Sequence, residues 1–162
     1  MNAENNQPEY PEKYYAQLLF FARSDLEWAK SRLERTTHFY HKPCFEAREA
    51  VEKALKAFLE ASGRTAPDLH SLRTLVDLCA QIDKEFLRLR SKCIILQPYQ
   101  HEARYPELPT YDFTPEMADE AVAIATEIYE LVENKIRLLE TKGHLGILRP
   151  LSRLHQQGDP PG

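Results

Sequence analysis

One short stretch of this chain carries the residue types that work on phosphates without a metal. It reads Tyr99-Gln100-His101-Glu102-Ala103-Arg104-Tyr105-Pro106-Glu107. Imidazole titrates near neutrality and can move a proton, and guanidinium clamps a phosphate through parallel hydrogen bonds. Metal-free RNA cleavage needs about that combination, one group on the 2′-hydroxyl and others on the phosphate. His101 and Arg104 are candidates for it. The competing reading is structural: Arg104 pairs with an acid of a neighbouring helix such as Glu52, Tyr105 packs, and Pro106 aims the chain into the next element. A second stretch, Lys84, Arg88, Arg90 and Lys92, is the densest basic run and is either a solvated face or an RNA-backbone contact.

Other chemistries lack their parts. There is no P-loop, GxGxxG, HExxH or GxSxG, and no carboxylate cluster spaced like a two-metal site. No metal or cofactor is expected. A self-sufficient nucleotidyltransferase needs a strand-borne pair of acids behind a Gly-Ser, and that is missing. If nucleotide chemistry occurs, its catalytic carboxylates come from another chain. The net charge of −4 gives no global pull toward nucleic acid or anionic lipid. Cys44, Cys79 and Cys93 have no CxxC spacing and read as reduced, buried thiols of a cytoplasmic protein. No apolar run reaches membrane-spanning length, so no membrane partner is expected. Met1–Glu9 is polar and has no signal-peptide core.

The elements that must position these residues read as helices. Four of the five Gly fall after residue 142, so the body has few hairpin signals. The clearest element runs from Pro43 to Gly63. Ala47, Val51, Ala54 and Phe58 form one helical face, and Ala50 and Ala57 widen it with small side chains. Pro43 suits a first helical position and Gly63 a left-handed stop. Glu49–Lys53 and Glu52–Lys56 are i to i+4 pairs in the favourable order.

A first helix is expected over Pro11–Arg35, on the stripe Tyr15, Leu18, Ala22, Leu26, Ala29 and Leu33. Phe20, Phe21 and Trp28 lie off that line, so this helix meets two neighbours or another protein. The short link Thr36–Lys42 makes the first two helices antiparallel. Asp68 is expected to cap a third helix that continues, or kinks, to about Arg90. Cys93–Leu96 reads as a helical turn or a buried extended piece. Pro98, Pro106 and Pro109 then forbid a long helix. Thr114-Pro115-Glu116 starts a last helix that reaches about Lys142. The sum is an all-α, antiparallel up-and-down bundle of four or five helices over residues 11–142, with a disordered N-terminus (1–10) and a flexible tail (143–162).

Three parts of the chain, in order, resemble the HEPN family, named for nucleotide binding in higher eukaryotes and prokaryotes. They are Phe45 with Ala50-Val51-Glu52-Lys53-Ala54-Leu55-Lys56-Ala57, Leu59 and Gly63; then Leu69-His70-Ser71-Leu72; then Tyr99 with Ala103-Arg104-Tyr105-Pro106-Glu107. The subgroup the chain resembles is the one that works beside minimal nucleotidyltransferases. Its members usually carry a Gln-Gln pair where Ala47-Arg48 stand here, which puts a cation, Arg48, on the helix.

The resemblance implies a helical bundle, commonly a homodimer, that assembles with a separately encoded small nucleotidyltransferase in a toxin–antitoxin-like pair and contacts nucleotide or RNA. Lys53, Lys56, Arg48, Arg104, Tyr105 and Tyr99 are the contact candidates it suggests. A tyrosine such as Tyr105 or Tyr99 could be nucleotidylated, as in related toxins. Other HEPN branches are metal-independent ribonucleases with an Arg, four to six residues, then a His. Arg64 and His70 match that spacing, though not the place where those branches put it. The alternative function is therefore a ribonuclease toxin using Arg104 with His101, or Arg64 with His70.

Overall fold

The computed structural model describes residues 11–101, 103–105 and 113–143. Helix α1 spans Tyr14–Arg35, α2 His41–Ala61, α3 Leu72–Ile82, α4 Arg90–Leu96 and α5 Pro115–Leu138. A 3-10 segment, Lys84–Leu89, joins α3 to α4, and another, Gln97–Gln100, follows α4. No strand occurs among the described residues. The expectations for residues 1–10, Pro106–Glu107, Pro109 and the tail beyond Gly143 lie outside them.

Helix α2 is the centre of the bundle. More than half of its residues are buried, in an Ala-rich set from Ala47 to Ala61 interleaved with Val51, Leu55, Phe58 and Leu59. Against it α1 sets Ala22 and Ala29, both with no exposed surface, so the two backbones approach closely. Two ion pairs show the direction of packing. Arg32 meets Glu46 at 2.7 Å, and Asp25 meets Lys53. A lower number on one helix faces a higher number on the other, so α1 and α2 are antiparallel. Tyr15 at the start of α1 bonds Glu140, just past the end of α5, at 2.8 Å, so α5 is antiparallel to α1 as well. The Phe58 and Phe86 rings, 4.5 Å apart, close the core between α2 and the α3–α4 link. All three cysteines are buried and free.

Local boundaries differ from the sequence reading in instructive ways. Helix α2 begins at His41, so Pro43 takes the third helical position rather than the first. Nothing is lost there, because the first four N–H groups of a helix have no intrahelical acceptor. Gly63 adopts φ 78°, the left-handed stop expected of it. Helix α3 is capped by Ser71, whose hydroxyl accepts from the Thr74 N–H at 3.2 Å; Asp68 does not cap it. Of the two outcomes expected for the third helix, continuing or kinking, the structure is nearer the second: α3 ends at Ile82 and the chain turns into the 3-10 segment. Asp83 turns extended, accepts from the Glu85 N–H at 3.0 Å, and takes the Lys135 ammonium of α5 at 2.7 Å. A carboxylate that caps a new turn and pairs with a neighbouring helix outweighs the apolar phase that Ile82 and Phe86 would continue.

Candidate functional site

The three separated sequence motifs converge on one stripe of α2. Phe45, Arg48, Glu52 and Lys56 recur at steps of three or four, so they lie along one face of the helix. The α2–α3 connector crosses this stripe at its far end. The segment after α4 crosses it at its near end.

At the far end, Glu52 is the hub. Its Oε1 accepts from Lys56 Nζ at 2.9 Å and faces His70 Nδ1 at 2.8 Å, and its Oε2 accepts from Arg48. Burial by itself pushes this carboxyl upward. The hydrogen bonds from Lys56, His70 and Arg48 outweigh it, and the group titrates below its ordinary range. Arg48 has no exposed surface. It donates to Glu52, to Glu49 at 2.9 Å, to the His70 carbonyl, and to Gln100 at 3.3 Å. One guanidinium therefore ties α2 to the connector and to the segment after α4. Gln97 adds a second tie: its side-chain oxygen accepts from the Leu72 N–H at 2.6 Å, satisfying an orphan donor of α3. His70 is held through one ring nitrogen while its side chain stays 60 % exposed. A buried carboxylate that orients a surface imidazole is the arrangement a general acid or base uses.

At the near end, Ala103 is buried and plants the Tyr99–Tyr105 corner against α2. The Arg104 guanidinium sits over the Phe45 ring, 5.5 Å from its centroid, and over the Tyr105 ring at 5.3 Å. It reaches the Tyr105 hydroxyl at 3.5 Å, and among the described residues it meets no carboxylate. The His101 ring packs against the same tyrosine, tilted, 5.2 Å between centroids. The backbone N–H groups of Arg104 and Tyr105 both donate to the His101 carbonyl, at 2.9 and 3.1 Å. His101, Arg104 and Tyr105 therefore form one exposed cluster. The Phe45 and Glu52 anchors of the two ends are seven residues apart, roughly 10 Å of helix rise.

Several sequence candidates fall elsewhere. Arg64 donates to Gln81 at 2.8 Å, near the C-terminal end of α3, while His70 precedes its N-terminal end. That helix separates the two side chains. Glu52 pairs with Arg48, Lys56 and His70, so the expected Arg104–Glu52 pair does not form. Tyr99 is buried and packs on Phe113, 5.8 Å between centroids, which makes it a core residue and not a surface contact. Lys53 is taken by Asp25 and Glu49, and Lys56 by Glu52. In the basic run, Arg88 and Lys92 both meet Glu127, and Arg90 meets Asp77 at 3.1 Å. Sequence reasoning missed Gln97 and Gln100, whose partners are distant in the chain.

Among the described residues the chain is an all-helical bundle gathered around one central helix, α2. The HEPN domain model matches residues 15–135, and the chain belongs to that family. Two solved structures are similar. TT1696 from Thermus thermophilus is 30 % identical over 75 % of this chain and 97 % of its own, with a TM-score of 0.63. ST0689, an archaeal HEPN homologue, is 23 % identical over 76 % of this chain and 98 % of its own, with a TM-score of 0.61. No curated protein matches the chain.

Proposed function

We propose that this chain is a binding and assembly module: a homodimeric HEPN protein that partners a separately encoded small nucleotidyltransferase in a toxin–antitoxin-like pair. The Arg104–Tyr105 corner is the surface that receives a phosphate-bearing group, of a nucleotide or RNA, or the partner itself. The observation that carries this is the state of Arg104. Its charge lies on two aromatic faces and meets no acid among the described residues, so its N–H edge is preorganised for an incoming anion. The missing Gly-Ser and acid pair supports a catalytic chain elsewhere. Affinity purification of the full chain from its own host tests the reading. A small protein with that nucleotidyltransferase signature should co-purify and be lost with Arg104→Ala. A chain that purifies alone would overturn it.

One observation favours a second reading, a ribonuclease toxin. Glu52 holds Nδ1 of an exposed His70, as a general base requires. Against it, Arg64 is committed to Gln81 and the Arg48 guanidinium is buried. Growth arrest and RNA loss on expression of the chain alone, both abolished by His70→Ala, would favour the ribonuclease. Loss on His101→Ala instead would move the base to the corner.

A further inference from the structure

The outer face of α1 carries three large aromatic residues at an interval of seven: Tyr14, Phe21 and Trp28. All are exposed, at 59 %, 46 % and 55 %. A seven-residue step drifts by only about 20° per repeat, so the three form a single seam, about 21 Å long. The seam is its own complement. Phe21 lies midway, so two copies laid antiparallel about a two-fold axis at Phe21 would set Phe21 on Phe21 and Tyr14 on Trp28, twice.

The charges beside the seam obey the same symmetry. Lys13, the N-cap of α1, precedes Tyr14 by one residue, and Glu27, paired with Arg23 at 2.9 Å, precedes Trp28 by one, so they lie toward the same flank of the seam. An antiparallel pair joins like flanks, which brings Lys13 of each copy to the Arg23–Glu27 pair of the other, where Glu27 has a second carboxylate oxygen to offer. A cleft of about 510 Å³ lies at the Trp28 end, lined by Trp28, Arg32, Arg35, Phe39 and Lys42 among others and, among the described residues, by no carboxylate. Phe39 is 64 % exposed there. In this register the cleft receives the partner copy's first turn of α1, with Tyr14 against Trp28 and the exposed Glu12 arriving among the cations. Trp, Tyr and Arg are the residue types that dominate interface energies.

We infer that α1 is the dimer face of this protein, an isologous antiparallel pairing of α1 with the α1 of a second copy, centred on Phe21. The inference rests on the dimeric part of the function proposed above and names its surface. Sedimentation of the full chain should give twice the monomer mass. Phe21→Arg should abolish the dimer while leaving the helical circular-dichroism signal intact. Lys13→Glu should weaken the dimer, and adding Glu27→Lys should restore it. Mild oxidation of Phe21→Cys should give a disulfide-linked dimer, because the two thiols meet on the axis and the three native thiols are buried. Leu87→Cys, exposed on the α3–α4 link, is the control that should stay uncrosslinked.

If Phe21→Arg fails to fold, the cysteine crosslink decides. A wild-type dimer with no enhanced crosslinking of Phe21→Cys over the control would overturn this face and leave the dimeric reading standing. A wild-type monomer would overturn both. A monomer that binds the nucleotidyltransferase partner and loses it with Phe21→Arg would assign the seam to that partner instead.

Discussion

Two arginines meet the same stripe of α2 and are treated in opposite ways. Arg48 has no exposed surface and is held by two carboxylates, a backbone carbonyl and an amide. Arg104 lies at the surface on two rings, with no carboxylate among the described residues. The chemistry of the side chain is the same, and the difference is what each has been desolvated against. A buried guanidinium must be matched by acceptors or the fold loses several kcal/mol. A guanidinium stacked on aromatic faces keeps its N–H edge available at little cost. The first is therefore a structural bolt, and the second has capacity left for a ligand.

Removing the bolt should produce the largest effect. Arg48→Ala leaves Glu52 buried with fewer donors and opens a void, and it should cost roughly 3–5 kcal/mol in urea unfolding. For a domain of this size that is a fall in melting temperature of about 10 °C or more. A loss below about 1 kcal/mol, the range of exposed pairs, would break the comparison, because burial would then make no difference between the two arginines.

Acid should find the same hub. Glu52 titrates below its ordinary range in the fold, so its contribution is fully present above the unfolded-state value near 4.5 and is lost as pH falls through the folded-state value. Asp83, held by Lys135, and Glu127, held by Lys92, shift the same way, so the raw slope of stability against pH is shared. The difference between wild type and Glu52→Gln isolates the hub. That gap should be widest at neutral pH and narrow as pH drops below 4.5. A gap that stays constant through the acid range would mean that the carboxylate charge is not what the three donors hold.

The two arginines also mark what can be read from a one-dimensional chain. The body of α2 is legible because its apolar step and its Gly63 stop are local and agree with each other. The partners of Glu52 are not. Lys56 is one turn away and visible, but His70 reaches Glu52 only after the chain has turned past Gly63, and Gln100 reaches the neighbouring Arg48 only after α3 and α4. Helical spacing offers Arg48 to Glu52 at i to i+4, whereas Arg104 could reach it only through tertiary folding. The burial of one face of α2 decides that Arg48 takes it. The same limit misplaced the cap of α3. Asp68 and Ser71 are both capping types, and the choice falls to Ser71 because Gln97 and Arg48 pin the residues on either side of it.

That cap gives a smaller test. Ser71→Ala removes the acceptor for the Thr74 N–H beside the hub and should cost about 1 kcal/mol. Combined with Arg48→Ala, the two losses should not add, because Arg48 bonds the carbonyl of the residue just before the cap. Strict additivity in a double-mutant cycle would show that the bolt and the helix start are independent.

The smallest effect on stability should come from Arg104→Ala, within about 1 kcal/mol, the range of an exposed cation–π contact. Its effect on binding should be the reverse, since the side chain that contributes least to the fold is the one with donors to spare. Arg104→Lys sharpens the point. An ammonium keeps the charge but loses the planar stacking on Phe45 and Tyr105 and the paired donors that fit a phosphate. If Arg104 serves as a phosphate clamp, the Lys variant should bind partner or nucleotide about as poorly as the Ala variant while matching wild type in urea. If Lys restores binding, the corner supplies only a diffuse positive charge, and the stacked geometry contributes nothing to recognition.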